Sequence, residues 1–152
     1  MNLENIYKNC EAFFISELAN AFWIDNSDAG IDGNIKYVFE DQPFNESGDP
    51  STSESWLRIS IRPGPSSPVE KGRTGKGLRD GHIYVNIFSP RPYKRKGALM
   101  ADRLEGVLKR IEIADDINLG EAETKYGQDR DAEWLMHLVK VPFWVEITGG
   151  NL

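Results

Sequence analysis

Hydrophobic and polar residues alternate along this chain with two different periods. From Leu3 to Trp23 the apolar residues recur at spacings of three and four with charged residues between them, which predicts an amphipathic helix. A similar run from Ala98 to Arg110 predicts a second helix. Alternation with a period of two predicts strands at IKYVFE (residues 35–40), WLRISI (56–61) and HIYVNIF (82–88).

The last two of these strands carry matching apolar patterns. Their inward positions are Leu57, Ile59 and Ile61 in one strand and Ile83, Val85 and Ile87 in the other. An antiparallel register with Ile61 opposite Ile83 sets every inward aliphatic side chain against another, so residues 62–82 become the connection of a hairpin. The same register sets Trp56 opposite Phe88 on the other face. That face is too aromatic to be left fully in water, and we expect something to cover part of it.

The segment WLMHLVKVPFWVEI, from Trp134 to Ile147, is apolar on both faces, which predicts a strand buried on both sides. Pro142 cannot donate to a ladder, so we expect this strand at a sheet edge or bulged at the proline. The segment EAETKY, residues 121–126, predicts a weaker strand. Together the elements predict an α+β fold: a mostly antiparallel sheet of four to five strands, an N-terminal helix, a second helix packed on the sheet, and a long basic hairpin loop.

The length and composition fit one domain over residues 1–152, with 39% hydrophobic residues and predicted flexible loops at 42–55 and 63–80. The 24 acidic and 18 basic residues give a net charge of −6, which argues against a general affinity for phosphate backbones or anionic membranes. The chain shows no apolar run that would span a bilayer and no secretory signal pattern, so we expect it to fold in a cytosol.

Candidate chemistry is sparse in this sequence. The segment GRTGKG resembles a phosphate-binding loop, but Glu70 and Gly77 occupy the positions where that motif needs glycine and a hydroxyl residue. His82 and His137 lie 55 positions apart without nearby ligand residues, so no metal site is predicted, and His137 is expected in the core. Cys10 is expected to be a buried hydrophobe. We therefore predict no catalytic residue, metal or cofactor.

The aromatic residues of the strands carry more information. Five of them lie on strands whose two faces are both apolar: Trp56, Phe88, Trp134, Phe143 and Trp144. Either the helices of the same protomer cover these side chains, or they form a subunit interface, where Trp and Tyr are enriched. The sequence leaves both alternatives open.

The order of the segments along the chain is similar to that of a known protein family. After the N-terminal helix come WLRISIRPGPS, a glycine-rich basic insert, GHIYVNIFSPR, KGALMADRLEGVLKR and a closing VPFWVEI. This order resembles the tail terminator, or tail completion, proteins of long-tailed bacteriophages and prophages. The matching residues are Trp56, Arg58, Gly81, Val85, Ile87, Phe88, Pro90, Gly97 and Ala98. The resemblance extends from about Leu3 to Ile147.

The resemblance implies a structural, non-enzymatic protein of the virion tail that is assembled in the cytoplasm of a bacterial host. Proteins of this family form a homo-oligomeric ring, usually a hexamer, on the head-proximal end of the tail tube. The ring stops tube polymerisation and joins the major tail tube protein to the head–neck connector proteins. DNA passes through it without specific recognition, and no membrane is involved. A closed ring needs two different, complementary patches on each subunit.

The resemblance makes the basic insert a candidate docking arm. Lys71, Arg73, Lys76 and Arg79 would meet an acidic surface of the tube or the neck, with ordering on contact reducing the affinity. The alternative is a solvated hairpin tip without a partner. For the whole protein, the alternatives are a head–tail connector or neck protein, or a small ligand-binding or enzymatic domain with the hairpin insert as a lid.

Overall fold

Two helices and seven strands make up the described part of the chain, and the strands form one mixed sheet. The computed structural model describes residues 2–18, 36–40, 42, 55–68, 76–90, 94–109, 112–113, 117–129 and 134–148. The elements in chain order are α1 (Leu3–Leu18), β1 (Lys36–Phe39), β2 (Trp56–Pro68), β3 (Lys76–Pro90), α2 (Lys94–Leu108), β4 (Glu112–Ile113), β5 (Ile117–Leu119), β6 (Glu123–Asp129) and β7 (Trp134–Thr148). The predicted α+β class is confirmed. Neither described helix has the length and apolar character that crossing a membrane requires.

The sheet has the order β1-β2-β3-β7-β5-β4, and β6 pairs with β7 alongside β5. Only β1 and β2 are parallel, whereas the other pairs are antiparallel. The strand count exceeds the predicted four to five, because β4 and β5 are only two and three residues long. Segments this short in an acidic stretch show no period that a sequence pattern could reveal.

The register predicted for the central hairpin is confirmed. Ile61 lies opposite Ile83 and Ile59 opposite Val85, while Trp56 lies opposite Phe88 on the other face. The last strand extends this aliphatic face, with Val139 opposite Val85 and Val141 opposite Ile83. Three long strands thus present one continuous aliphatic surface, which must be covered to leave water.

Both helices pack on this aliphatic surface. Helix α1 buries residues spaced by four, namely Ile6, Cys10, Phe14 and Leu18. It begins at a cap, because Asn2 Oδ1 accepts a hydrogen bond from the Asn5 backbone N–H at 2.9 Å. Helix α2 buries Met100, Ala101, Leu104 and Leu108 in the same core. Burial raises the pKa of the Cys10 thiol to about 12, in agreement with the predicted role as a small hydrophobe.

The central hairpin is longer than predicted, and its loop is shorter. We expected a flexible loop over 63–80, but β2 continues to Pro68 and β3 begins at Lys76. The ladder resumes with Ser66 opposite Arg79 after a bulge. Pro63 does not interrupt it. The Glu40 N–H donates to the Ile59 carbonyl, so the odd-numbered residues up to Pro63 turn their backbone groups away from β3. Pro65 lies within the bulge, and Pro68 is the last residue of the strand. The predicted loop at 42–55 and the hairpin connection at 69–75 lie largely outside the described residues.

The predicted edge position or bulge of the last strand is wrong. β7 lies inside the sheet, with β3 paired along its whole length and both β6 and β5 on its other side. The Pro142 carbonyl accepts a hydrogen bond from the Gly120 N–H at 2.8 Å. In an extended strand the nitrogen and carbonyl of a residue point to the same side, so the Pro142 nitrogen faces the gap between β6 and β5. At that junction a missing donor breaks no ladder bond.

Gly81 allows β2 and β7 to approach β3 closely. A Cβ atom there would overlap the Arg62 carbonyl oxygen and lie 2.7 Å from Phe143 Cζ. We predict that Gly81→Ala lowers the free energy of unfolding by about 1–3 kcal/mol, because the overlapping atom is backbone. The matched control is Gly106→Ala, where a Cβ would meet nothing within 4 Å. In this variant the free energy of unfolding should rise by roughly 0.5–1 kcal/mol, because alanine has the higher helix propensity. Urea unfolding of both variants measures the difference; equal stabilities would contradict the packing described here.

Candidate functional site

The side of the sheet opposite the helices is the candidate functional site. Strand geometry sends alternate side chains to opposite faces, so the even-numbered residues of the three long strands share this side. We call it the open face; its central members are Trp56, Arg58, Ser60, Arg62, His82, Tyr84, Asn86, Phe88, Trp134, Met136, Leu138, Lys140, Pro142 and Trp144, with Glu123 and Lys125 from β6. The buried residues of both described helices belong to the core on the other side. Within the described part of the chain, no helix packs on the open face.

One end of the open face is an aromatic cluster. The Trp56 indole stacks on the Phe88 ring with centroids 4.1 Å apart and planes 12° apart, and the Trp134 ring meets Trp56 edge-on at 6.1 Å. Phe88 and Met136 are buried here although neither belongs to the main core. Cross-strand aromatic pairs of this kind stabilise a sheet beyond their buried area. The cluster is therefore a rigid apolar platform whose outer surface stays half-exposed.

The middle of the open face carries positive charge. Arg58 and Arg62 project from β2 and are exposed, and Lys140 places its Nζ 5.8 Å from the centre of the Tyr84 ring. Arg62 also pairs with Glu40 of the neighbouring strand end at 2.5 Å. Polar side chains of Ser60 and Asn86 and the apolar Met136 and Leu138 complete a shallow depression in this region. Cations are concentrated here although the chain as a whole carries a charge of −6.

The other end of the open face lies where the long hairpin leaves the helices. Trp144 is 41% exposed there, next to Pro142. Together with Leu78, His82 and Gly64 they line a second depression. Asp80 and Glu146 add exposed carboxylates at this end. The face thus runs from an aromatic end through a basic middle to a Trp end with acidic neighbours.

Four of the five predicted interface aromatics lie on the open face, whereas the fifth lies in the core. Trp56, Phe88 and Trp134 form the cluster, and Trp144 lies at the far end. Phe143 was wrongly grouped with them. It is 1% exposed and packs in the core under the helices, because odd-numbered residues of this strand face that side. Both faces of β7 are apolar, so the sequence did not reveal which aromatic was outward.

The predicted docking cations are only partly described. Lys71 and Arg73 lie outside the described residues, and Lys76 is the first residue of β3. Arg79 is half-buried, and its Nη1 donates to the Gly64 carbonyl at 3.2 Å across the bulge of the hairpin. This contact gives Arg79 a role within the hairpin. It is thus less available for a partner than the exposed cation that the sequence suggested.

The sequence reasoning missed the cationic part of the site. Tyr84 and Lys140 lie in strands that were correctly predicted, and Arg58 was noted only as part of a family pattern. The signal lay in the even positions of the strands. Once the register of three strands is known, those positions fall together on one face, whereas their charges are scattered along the sequence.

No family model matches this chain, and no curated protein matches it. Eleven chains of solved structures match, and one of them has a TM-score of 0.53 at 13% sequence identity. That match covers 86% of this chain and 94% of the other. The name of the matching protein states no function, so this likeness shows a shared fold alone.

The neighbouring residues Phe143 and Trp144 test the assignment of the two faces. We predict that Phe143→Ala lowers the free energy of unfolding by about 3–5 kcal/mol, because it empties a site in the core. Trp144→Ala should lower it by less, on the order of 1–2 kcal/mol, since 41% of the residue is exposed and only the rest packs within the protomer. Urea unfolding of the two variants measures both values. Similar losses in both would mean that Trp144 is buried within the protomer.

His137 lies in the core below the start of α2, where a Cβ on Gly97 would come within 2.9 Å of its Nδ1. Burial lowers the pKa of His137 from its ordinary value of 6.5. Well above pH 6.5 the residue is neutral in both the folded and the unfolded chain. Below that pH the unfolded chain binds a proton that the folded chain does not, so we predict that stability falls as the pH drops from 6.5 towards the lowered pKa.

Unfolding measurements on both sides of this pH window separate the contribution of His137 from that of other groups. His137→Gln should remove part of the decrease in stability, because the unfolded chain no longer gains a proton at this position. His82→Gln serves as the control and should retain the full decrease. An identical decrease in wild type and in His137→Gln would refute the assignment.

Proposed function

We propose that the protein is a structural component of a phage or prophage tail that forms a ring at the head-proximal end of the tail tube, stops its polymerisation and joins it to the neck. The open face is the observation that carries this proposal. Exposed and half-exposed Trp, Arg and Tyr side chains together on one side of a sheet are typical of protein interfaces. A ring subunit needs such a surface for its neighbour.

The long hairpin is consistent with the same proposal. Its two strands extend the sheet to Pro68 and Lys76, beyond the residues of β2 and β3 that pack under the helices. The cations Lys71, Arg73 and Lys76 lie at or next to its connection. At this point β3 is paired with β2 on one side and with β7 on the other. A seven-residue connection anchored at both ends in a three-stranded sheet can meet an acidic surface on another protein with less loss of conformational entropy than a free loop.

Polymerisation of tail tubes tests the proposal directly. The purified chain is added to growing tubes made from the major tail tube protein of the same phage or prophage, and tube lengths are measured by electron microscopy. We predict shorter tubes, each with additional density at one end, that no longer extend when more tube protein is supplied. Tubes that reach the same length with and without the protein would contradict the capping function.

The cations of the hairpin connection test the docking arm in the same assay. The triple variant Lys71→Ser, Arg73→Ser and Lys76→Ser should keep the stability of the wild type but reduce capping or the joining of heads to capped tails. Arg79 is left unchanged, because its hydrogen bond to Gly64 belongs to the hairpin itself. Capping and joining at wild-type levels in the triple variant would remove the docking role and leave the capping function intact.

A further inference from the structure

We infer that the open face receives helix α1 of a second copy of the chain, in a head-to-tail contact that repeats from subunit to subunit. This inference names the partner surface within the ring and to that extent rests on the proposed function. The two surfaces lie on different parts of the same protomer. A contact of this kind is heterologous, so it leaves a free face on one copy and a free helix on the next, as a ring requires.

The residue types of the open face favour a protein partner. Trp, Tyr and Arg are the side chains that most often carry the binding energy of protein interfaces, and Met is enriched there as well. All four types occur on the open face, with Trp56, Trp134 and Trp144 spread from one end to the other. A nucleic acid is less favoured. Arg62 is already paired with Glu40, and Glu123 lies directly opposite Lys140, which reduces the charge available to phosphates.

The charge of the open face argues against pairing with an identical face. In a two-fold contact between two open faces, the basic middle of one copy would meet the basic middle of the other. Arg58, which lies between Val38 and Asn86 and opposite no carboxylate, would then approach its own kind, and juxtaposed like charges are costly when water is removed. The partner surface should instead be apolar with acidic residues.

Helix α1 offers such a surface beside the part that is buried in its own core. Leu3, Tyr7 and Ile15 are 45%, 42% and 50% exposed, and they lie on one ridge because their spacing is a multiple of four. Glu11 lies on the same ridge, and Glu4 lies next to it. Lys8 is the one cation of the helix and lies beside Glu4, so Glu11 gives the apolar ridge its negative charge.

The dimensions of the two surfaces agree. Helix α1 has 16 residues and is therefore about 24 Å long. The strand segment from Trp56 to Arg62 extends for roughly 20 Å, and four adjacent strands present a width of about 14 Å. A helix about 10 Å in diameter fits along this face. Its apolar ridge can cover the aromatic platform while its glutamates approach the basic middle.

Reversing the charges on each surface tests this contact. The first variant carries Arg58→Glu and Lys140→Glu on the open face, and the second carries Glu4→Lys and Glu11→Lys on the helix. Each variant alone sets like charges against each other, so its association constant should fall at least about tenfold. In an equimolar mixture every contact of an alternating assembly is again between opposite charges, so association should return. Light scattering and native mass spectrometry measure both effects.

The controls lie on the exposed side of α2. Asp102→Lys and Lys109→Glu reverse charges of the same kinds away from both surfaces and should assemble like the wild type. The inference is supported if the two charge-reversed variants assemble only when mixed. It is overturned if they assemble alone, if the mixture does not recover, or if the wild type stays monomeric up to about 1 mM. Binding of a DNA oligonucleotide that Arg58→Glu abolishes would also overturn it, by assigning the cations to phosphates.

The charge-reversal experiment and the tube-capping experiment can fail independently of each other. If the wild type caps tail tubes but the charge-reversed mixture does not recover, the ring uses other surfaces and only this inference fails. If the mixture recovers but the wild type leaves tube growth unchanged, the contact is retained and the tail function fails.

Discussion

The aliphatic ladder of β2, β3 and β7 is the interaction on which the rest of the structure depends. Leu57, Ile59 and Ile61 meet Ile83, Val85 and Ile87 across one pair of strands. The last strand continues two of these rows with Val139 and Val141 and places His137 opposite Ile87. Burying each of these aliphatic side chains contributes on the order of 2 kcal/mol, more than a typical surface ion pair. Each of the two helices buries one apolar stripe against this face. Within the described residues the opposite face has no such cover.

This constraint connects the core with the surface. Because side chains alternate along a strand, placing the aliphatic residues inward fixes Trp56, Tyr84 and Trp144 outward. A shift of one residue in the register would exchange the two sets, and Gly81 opposes such a shift, because a close approach to Arg62 and Phe143 is possible only without a side chain at that position. The surface proposed for assembly is therefore as firmly specified as the core. The hairpin extends the same ladder to Pro68 and Lys76.

The sequence predicts those parts of the structure that depend on period alone. The register of β2 with β3 follows from two matching patterns, and both helices follow from their spacing of three and four. The predicted edge position of β7 was wrong because the Pro142 nitrogen faces the gap between two partner strands. Proline breaks no ladder bond there, although it usually does so in an inner strand. Phe143 was wrongly placed at the interface because β7 is apolar on both sides. The hydrophobic pattern of this strand therefore does not distinguish the core side from the outer side. The basic middle of the open face needs the register of three strands, which brings Arg58 and Lys140 together from distant positions.

The central claim is that the open face is buried against another protein subunit in the working assembly. Hydroxyl-radical footprinting of tryptophan, read by mass spectrometry on the free chain and on the chain bound to tube ends, measures this burial directly. We expect that Trp144, which is 41% exposed in the protomer, loses most of its reactivity in the assembly, together with Trp56 and Trp134. Unchanged reactivity of these three residues in the assembled state would contradict it, because the open face would then remain in water.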